Sequence, residues 1–288
     1  MRARHHRLLP IVGVGLVAGC HYLLPFESPR VDDSRAPGSE GPRPERSGPA
    51  GPVLSCADLR ARFPTAPSGI YPIDPDGEGG QPSFEAFCEQ IADGGGWTLV
   101  LKADGRGKTF AFDAPLWTNQ ATLNPDSAGL DTTEAKLAGF NTMPFVALRV
   151  GLRAGAEARW MILDVKGESL SKVFGAIPPE QRGTPTSLVP THAGRSAWLN
   201  LLPGASLQEY CDQEGLNNDD GWGSRVRIGI VTNNEANCGD TDSFIGLGGQ
   251  EYWCSVPITS TVGNGDCGTW ETPPHRSDIP AFGYVMVR

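Results

Sequence analysis

Three consecutive glycines, Gly94 to Gly96, run directly into Trp97 and constrain the fold more than any other stretch of the chain. Glycine adopts positive φ without a Cβ clash, so the run predicts a tight turn or a crowded backbone. The residues at 97–101, Trp-Thr-Leu-Val-Leu, favour a strand. A phosphate-binding loop would instead precede a helix and carry a Lys-Ser or Lys-Thr pair. The motif therefore predicts a turn that leads into a strand.

The composition is that of a globular chain rich in loops. Of its 288 residues, 39% are hydrophobic and 20% are charged, which is enough to bury a core. The 37 glycines and 25 prolines favour short strands and loops over a helical bundle. A net charge of -9 argues against a nucleic-acid partner, which requires a basic surface, and is compatible with cation binding.

The first residues are typical of an export signal. Arg2, Arg4 and Arg7 precede an apolar stretch at 8–17 that is too short to span a bilayer, and Ala18-Gly19-Cys20 follows it directly. This pattern predicts a bacterial lipoprotein signal at 1–19, cleavage before Cys20 and lipidation of the Cys20 thiol. The alternative is an ordinary secretory signal with a cysteine nearby by chance.

The cysteine count fits export. Without Cys20, six cysteines remain, at 56, 88, 211, 238, 254 and 267. In an exported chain they predict three disulfides, for which the sequence alone allows fifteen pairings. The chain contains no Cys-x-x-Cys, so a zinc ribbon or a thioredoxin-like site is not expected.

The mature chain divides into a tether and a domain. Residues 20–52 combine the lipidated Cys20 with a segment rich in proline, glycine and serine, which predicts disorder. Residues 53–288 are expected to form a single α+β domain. The predicted strands and helices are short and lie among long loops. Strands are predicted at 145–152, 159–166, 224–232 and 282–288, and helices from Ser55 and at 133–140 and 168–174.

The first part of this domain resembles a known family. Ser55-Cys56, the Gly-Ile-Tyr stretch from Gly69, Phe84-Glu-Ala-Phe-Cys88 and Gly94-Gly-Gly-Trp97-Thr follow one another as in a fibrinogen C-terminal-like domain. The resemblance implies a single disulfide-containing domain of that family with short strands, short helices and long loops. It also implies a Cys56–Cys88 bridge and a Trp97 that packs in the core. The stretch 103–205 is not aligned.

The last part resembles the intelectin branch of the same superfamily. Asn233-Asn-Glu235 after a strand, the Gly-rich segment from Phe244 to Tyr252, and Cys267-Gly268 carry this resemblance, while a His-His-Cys segment of that branch is replaced by Asp242-Ser-Phe. The Asp240-Thr-Asp242-Ser-Phe stretch is similar to the calcium loop of the fibrinogen branch. Cys254–Cys267 resembles the short C-terminal bridge of these domains, and Cys211–Cys238 is our hypothesis for the third pair.

Oxygen ligands are concentrated between residues 212 and 251. Asp, Glu and Asn side chains on backbone interrupted by glycine are what Ca²⁺ prefers, and the resemblance favours calcium over the alternative of a solvated acidic loop. The predicted Ca²⁺ ligands are Asn234, Glu235, Asp240, Asp242 and Glu251.

Aromatic residues close in sequence to the acidic segment are candidates for contact with a ligand. Sugar rings and acetyl methyl groups pack on aromatic faces. The predicted ligand-binding residues are Tyr252, Trp253, Trp270 and Tyr284. For Trp253 and Tyr284, burial in the core is the alternative.

The sequence favours a binding module over an enzyme. It contains no G-x-S-x-G, H-E-x-x-H or similar catalytic motif. We predict a lectin-like, non-enzymatic module that recognises carbohydrate or acetylated ligands with calcium. The lipid anchor would place it at the outer membrane or surface of a bacterium. The alternative function is a structural or adhesive protein–protein interaction module without a small-molecule site.

Lipidation can be tested at Cys20 alone. Because this thiol is the predicted acceptor, labelled palmitate should enter the wild-type chain expressed in a bacterial host and should not enter Cys20→Ala. Gel fluorography of the two chains measures the difference. Equal incorporation would show that Cys20 carries no lipid.

Overall fold

Antiparallel strands are the main regular secondary structure of the protein. The computed structural model describes residues 51–176, 189–219, 223–251, 254, 257–268 and 277–288. The strands are β1 Gly69–Ile73, β2 Phe84–Glu89, β3 Trp97–Asp104, β4 Ala135–Lys136, β5 Leu148–Arg153, β6 Arg159–Leu163, β7 Val189–Pro190, β8 Tyr210–Asp219, β9 Arg225–Asn233, β10 Ser243–Leu247, β11 Val262–Asp266, β12 Ser277–Pro280 and β13 Phe282–Val287. The α-helices are α1 Cys56–Arg62, α2 Gly139–Thr142, α3 Leu170–Gly175 and α4 Arg195–Leu201.

The strands form two sheets. The seven-stranded sheet has the order β1-β2-β3-β13-β5-β6, with β4 beside β3, and the six-stranded sheet has the order β12-β11-β10-β9-β8-β7. The expected α+β class is therefore wrong, and the domain is mostly β, with three disulfides. The helices have only four to seven residues. Strands such as β11, Val-Gly-Asn-Gly-Asp, lack the apolar alternation by which a strand is recognised in a sequence.

Several predicted elements form close to their expected positions, and one does not. Ser55 caps α1, where its hydroxyl accepts a hydrogen bond from the Asp58 N–H at 3.0 Å. The helix expected at 133–140 is wrong, because Ala135 and Lys136 pair with β3 and the helix begins only at Gly139.

Within the described residues no helix has the length and the apolar character needed to cross a membrane.

The glycine run before β3 forms the predicted turn. Gly94, Gly95 and Gly96 have φ of +81°, +67° and +77°. A Cβ on Gly95 would lie 2.2 Å from the Gln90 carbonyl oxygen, so a larger residue does not fit there. Trp97 is fully buried directly after the turn. The run thus supplies three successive left-handed residues beside a crowded backbone.

Three disulfides link distant parts of the chain, and they join the Cys56–Cys88 pair that the resemblance implies and the two pairs given as hypotheses. Cys56–Cys88 connects α1 to β2, Cys211–Cys238 connects β8 to the β9–β10 connection, and Cys254–Cys267 connects the segment after β10 to the residue that follows β11. Three disulfides are typical of proteins in oxidising compartments, which indicates an exported protein.

The two sheets meet at Gly105, next to the end of β3. Its N–H donates to the Ala281 carbonyl and its carbonyl accepts from the Thr261 N–H, both at 2.9 Å. A Cβ on Gly105 would lie 2.0 Å from the Val262 carbonyl oxygen. This close approach brings both sheets onto one hydrophobic core.

A row of glycines crosses the six-stranded sheet. Gly215 of β8 pairs with Gly229 of β9, which pairs with Gly246 of β10, which in turn pairs with Gly263 of β11. Gly215, Gly246 and Gly263 have φ of +155°, +154° and +129°. A Cβ on Gly246 would lie 2.1 Å from the Ile228 carbonyl oxygen. We call this row the glycine crease.

The sheet bends sharply at the glycine crease. The nine residues of β9 would extend over about 30 Å in a flat strand. Yet the N–H of Ser224, before β9, donates at 2.6 Å to the carbonyl of Thr241, which lies beyond the other end of β9. Val226, Val231 and Phe244 form a buried cluster of their own. The two ends of the β9–β10 ribbon are therefore brought together.

A side chain introduced into the glycine crease should lower the stability of the folded protein. In Gly246→Ala the new methyl group would clash with the Ile228 carbonyl at a positive φ, so we expect a loss of at least about 3 kcal/mol in the free energy of unfolding. Urea denaturation measures this loss. Gly155→Ala is the control, since a Cβ there meets no atom within 4 Å. Similar stabilities for the two variants would contradict the role of the crease.

Candidate metal centre

Four carboxylates lie in one neighbourhood where the bend closes, although no three of them have oxygen atoms within 4.8 Å of one another. Glu235, Asp240 and Asp242 lie on or next to the β9–β10 connection, and Glu251 follows β10. The negative charges of Glu251, Asp240 and Glu235 all act on Asp242, so these side chains share one neighbourhood. We call these four residues the acidic cluster. They are four of the five predicted calcium ligands.

Asp242 lies at the centre of the acidic cluster. Burial is the largest cause that raises its pKa, the charges of Glu251, Asp240 and Glu235 add to it, and a hydrogen bond from the Asn234 backbone offsets part of the rise. Together they raise the pKa of Asp242 to about 7. Its carboxylate is therefore held among like charges at a cost in free energy, which a bound cation would relieve.

The β9–β10 connection is held in shape by one buried amide. The Asn233 Nδ2 donates to the carbonyls of Asn237 and Gly239, each at 3.0 Å, and its Oδ1 accepts from the Asn234 N–H at 2.8 Å. The Cys211–Cys238 disulfide ties the same connection to β8. The loop that carries Glu235 and Asp240 is thus held by the Asn233 side chain and by a disulfide to β8.

Glu251 reaches the cluster because of contacts across the bend. The Ser224 hydroxyl donates to its carboxylate. Three residues further on, Cys254 is bonded to Cys267, whose N–H donates to the Asp242 carbonyl at 3.0 Å. A carboxylate oxygen of Glu251 and the two sulfurs lie within 4.8 Å of one another. Both sulfurs belong to the disulfide, so they are not thiolate ligands, and the cluster offers oxygen atoms only.

Asn234, the fifth predicted ligand, carries an unsatisfied oxygen. Its Oδ1 is buried and has no hydrogen-bond partner in the part of the chain that is described. Such an atom carries a desolvation cost unless a ligand contacts it. Carboxylate and amide oxygens on irregular backbone are the donor set that Ca²⁺ prefers, so the residues present fit this ion in their chemistry, and coordination would require their oxygens to move closer together.

The oxygen-rich residues at 212–219 have other roles, because they belong to β8. Glu214 accepts hydrogen bonds from Trp198 Nε1 at 2.7 Å and from the Gly194 N–H at 3.1 Å. Asn217 and Asn218 are fully buried. Because these residues are polar, the sequence does not indicate a strand here. In the structure their side chains stabilise the fold.

Tyr284 is one of the four aromatic residues predicted to bind a ligand, and for this residue the prediction is wrong. It is 2% exposed and packs against Trp160 and Phe282, with ring centroids 5.5 and 5.2 Å away. It is a core residue, because it lies in β13 between β3 and β5. Tyr252, Trp253 and Trp270 lie outside the described residues, as does Cys20, and their roles stay predictions.

Sequence analysis missed the residues that position the acidic cluster. Ser224 lies 27 residues before Glu251, and Asn233 was one of many polar residues in an acidic segment. The sequence contains one signal of the bend, the glycines at 215, 229, 246 and 263. These glycines can be recognised as one row only when the register of the four strands is known.

Comparisons with known proteins give distant likenesses to solved structures. The chain is similar to the fibrinogen-like globe domain of human ANGPTL6, with 18% sequence identity, a TM-score of 0.34, and coverage of 83% of this chain and 97% of that chain. No protein-family model matches the sequence, and no curated protein matches it. A TM-score this low does not establish a shared fold, so the fibrinogen-like resemblance depends on the motifs of the chain itself.

Because the pKa of Asp242 is raised, we predict that this residue makes the stability of the metal-free protein depend on pH. The folded state holds this proton more tightly than the unfolded state, so the contribution of Asp242 to wild-type stability should fall as the pH rises from about 4 to about 7. Asp242→Asn removes this loss. In chelator we expect the variant to gain about 1–2 kcal/mol over wild type between pH 5 and pH 8, less than the full shift because the carboxylate is only half-buried.

Urea denaturation at the two pH values measures the gain. Asp126→Asn, at an exposed position, is the control for the loss of one negative charge. A stability difference between Asp242→Asn and wild type that does not change with pH would contradict the crowding of charge at the cluster.

Proposed function

We propose that the protein is an exported, cell-surface binding module that recognises carbohydrate or acetylated ligands with the help of Ca²⁺. The observation that carries this proposal is the gathering of three carboxylates, Glu235, Asp240 and Glu251, around the half-buried Asp242. Lipidation at Cys20 would hold the module at the bacterial outer membrane or cell surface.

The donor set favours calcium over a softer metal. Glu251 lies beside two sulfurs, but both belong to a disulfide, which leaves oxygens from Asn234, Glu235, Asp240, Asp242 and Glu251. A hard cation with flexible coordination suits oxygens on a loop. Its charge would neutralise the repulsion that raises the pKa of Asp242, and the buried Asn234 oxygen would gain a partner.

The ligand class follows from the resemblance together with the position of the cluster. Fibrinogen-like and intelectin-like motifs surround these residues in the sequence. An ion here would either accept sugar hydroxyls directly or brace an aromatic pocket formed by Tyr252, Trp253 and Trp270. Replacement of the His-His-Cys segment by Asp242-Ser-Phe favours bracing.

Calcium binding should be visible as added stability. At a calcium concentration a hundred times the Kd, binding to the native state alone stabilises it by about 2.7 kcal/mol. We expect the melting temperature of the wild type to rise in millimolar calcium relative to chelator, and that of Asp240→Ala/Asp242→Ala to stay unchanged. Differential scanning calorimetry measures both.

A matched control distinguishes the loss of the calcium site from the loss of two negative charges. Asp126→Ala/Glu157→Ala removes two exposed carboxylates elsewhere and should keep the calcium response of the wild type. If chelator leaves the wild-type melting temperature unchanged and titration calorimetry detects no calcium binding, the acidic cluster is merely solvated and the metal proposal is wrong.

A glycan array with and without calcium tests the ligand. Calcium-dependent binding to glycans or acetylated sugars is the expected result. A chain that binds calcium but no glycan in either condition would favour the alternative, a structural or adhesive protein–protein module.

A further inference from the structure

A second concave site lies away from the acidic cluster and shares no residue with it. A cavity of about 290 Å³ opens between the β1–β2 connection, α2 and the start of α3. This volume is close to the lower end of the range for small-molecule sites, about 300 Å³. Three separate parts of the chain build its walls.

One wall of this cavity is apolar. The ring of Phe84, half-buried at the start of β2, lies against α2, where a Cβ on Gly139 would be only 3.1 Å from its Cζ. Pro75, Pro82 and Ala138 extend the apolar surface. Phe84 and the two prolines together offer a rigid apolar surface to the C–H groups of a ligand.

The other walls are polar and offer mostly acceptors. The Thr142 hydroxyl donates to the Ala138 carbonyl at 3.1 Å, which leaves its lone pairs available. The Asp76 carboxylate accepts from the Gln81 N–H at 2.9 Å, and this hydrogen bond is the largest cause that lowers the pKa of Asp76. Asp76 is thus a charged acceptor held in place by its own loop.

The charge balance narrows the ligand class further. Glu168 and Lys172 form an exposed ion pair at the rim, so the negative charge of Asp76 is the unbalanced one in the cavity wall. This disfavours phosphates, sulfates and acidic sugars. Hydroxyl donors on a ring with an apolar face match both the acceptors and the Phe84 wall.

We propose that this cavity binds a neutral pyranose, with the sugar ring on Phe84 and its hydroxyls donating to Asp76 and Thr142. The site is independent of the calcium proposal, because no residue of the acidic cluster lines it. A single sugar ring in an open cavity of this size should bind with a Kd on the order of millimolar.

The test is ligand-observed NMR in chelator, which removes any contribution from calcium. The probes are the methyl pyranosides of glucose, galactose, mannose and N-acetylglucosamine, with glucuronate as the acidic comparison. We expect saturation transfer to at least one neutral glycoside and none to glucuronate. Loss of one hydrogen bond should weaken binding about fivefold in Thr142→Val and in Asp76→Asn.

Asp126→Asn is the matched control for Asp76→Asn, and thermal melting checks that every variant is folded. Binding kept in Asp240→Ala/Asp242→Ala would support a separate site. Absence of transfer to all four glycosides, transfer that requires calcium, or equal weakening in Asp126→Asn would each overturn the proposal. These outcomes leave the calcium proposal untouched.

Discussion

The bend of the six-stranded sheet at the glycine crease is the constraint on which the candidate site depends. Any side chain on Gly229, Gly246 or Gly263 would strike the backbone carbonyl of the next strand, at 2.3, 2.1 and 2.0 Å. Because the crease has no side chains, β9 and β10 fold back and bring Ser224 against Thr241. Without this bend, Glu251 and Asp242 would lie at opposite ends of a ribbon. The acidic cluster is therefore a product of backbone geometry.

The acidic cluster is held together by covalent and hydrogen-bonded constraints against its own charge repulsion. Cys211–Cys238 fixes one side of the loop and Cys254–Cys267 fixes the segment after Glu251. Each such link contributes on the order of 2–4 kcal/mol by restricting the unfolded chain. Both links oppose the separation of the chain segments that charge repulsion favours. The cluster can thus persist without a cation and still gain stability from one.

In the seven-stranded sheet, buried amines hold the long connection between β3 and β5. The long connection that follows β3 is fastened by Lys102, whose fully buried Nζ donates to Ser127 Oγ at 3.0 Å, to the Gly129 carbonyl at 2.8 Å and to Asp131 Oδ1 at 2.7 Å. Lys136 lies nearby on β4, donates to the Asn119 carbonyl at 2.6 Å, and has a pKa lowered to about 8 by burial. These buried amines hold a stretch of the chain that shows no family motif.

The sequence by itself determined the features that depend on neighbouring residues. Three glycines before Trp97 dictate a left-handed turn, Ser55 dictates a helix cap, and the six cysteines from Cys56 onward indicate three disulfides. Backbone sterics and local hydrogen bonds act within a few residues, so these features can be predicted from the sequence alone. The carboxylates of the candidate site were recognised for the same reason, by residue type and local spacing.

Only the tertiary structure decided the rest. Pairing with neighbouring strands turned the polar segment at 210–219 into β8 and Ala135–Lys136 into β4, which made the fold mostly β. Burial between β3 and β5 made Tyr284 a core residue, although its type and position suggested contact with a ligand. The meeting of Glu251 with Asp242 required strand register and a crease across four strands. These outcomes depend on contacts between residues far apart in the chain, and no local pattern encodes such contacts.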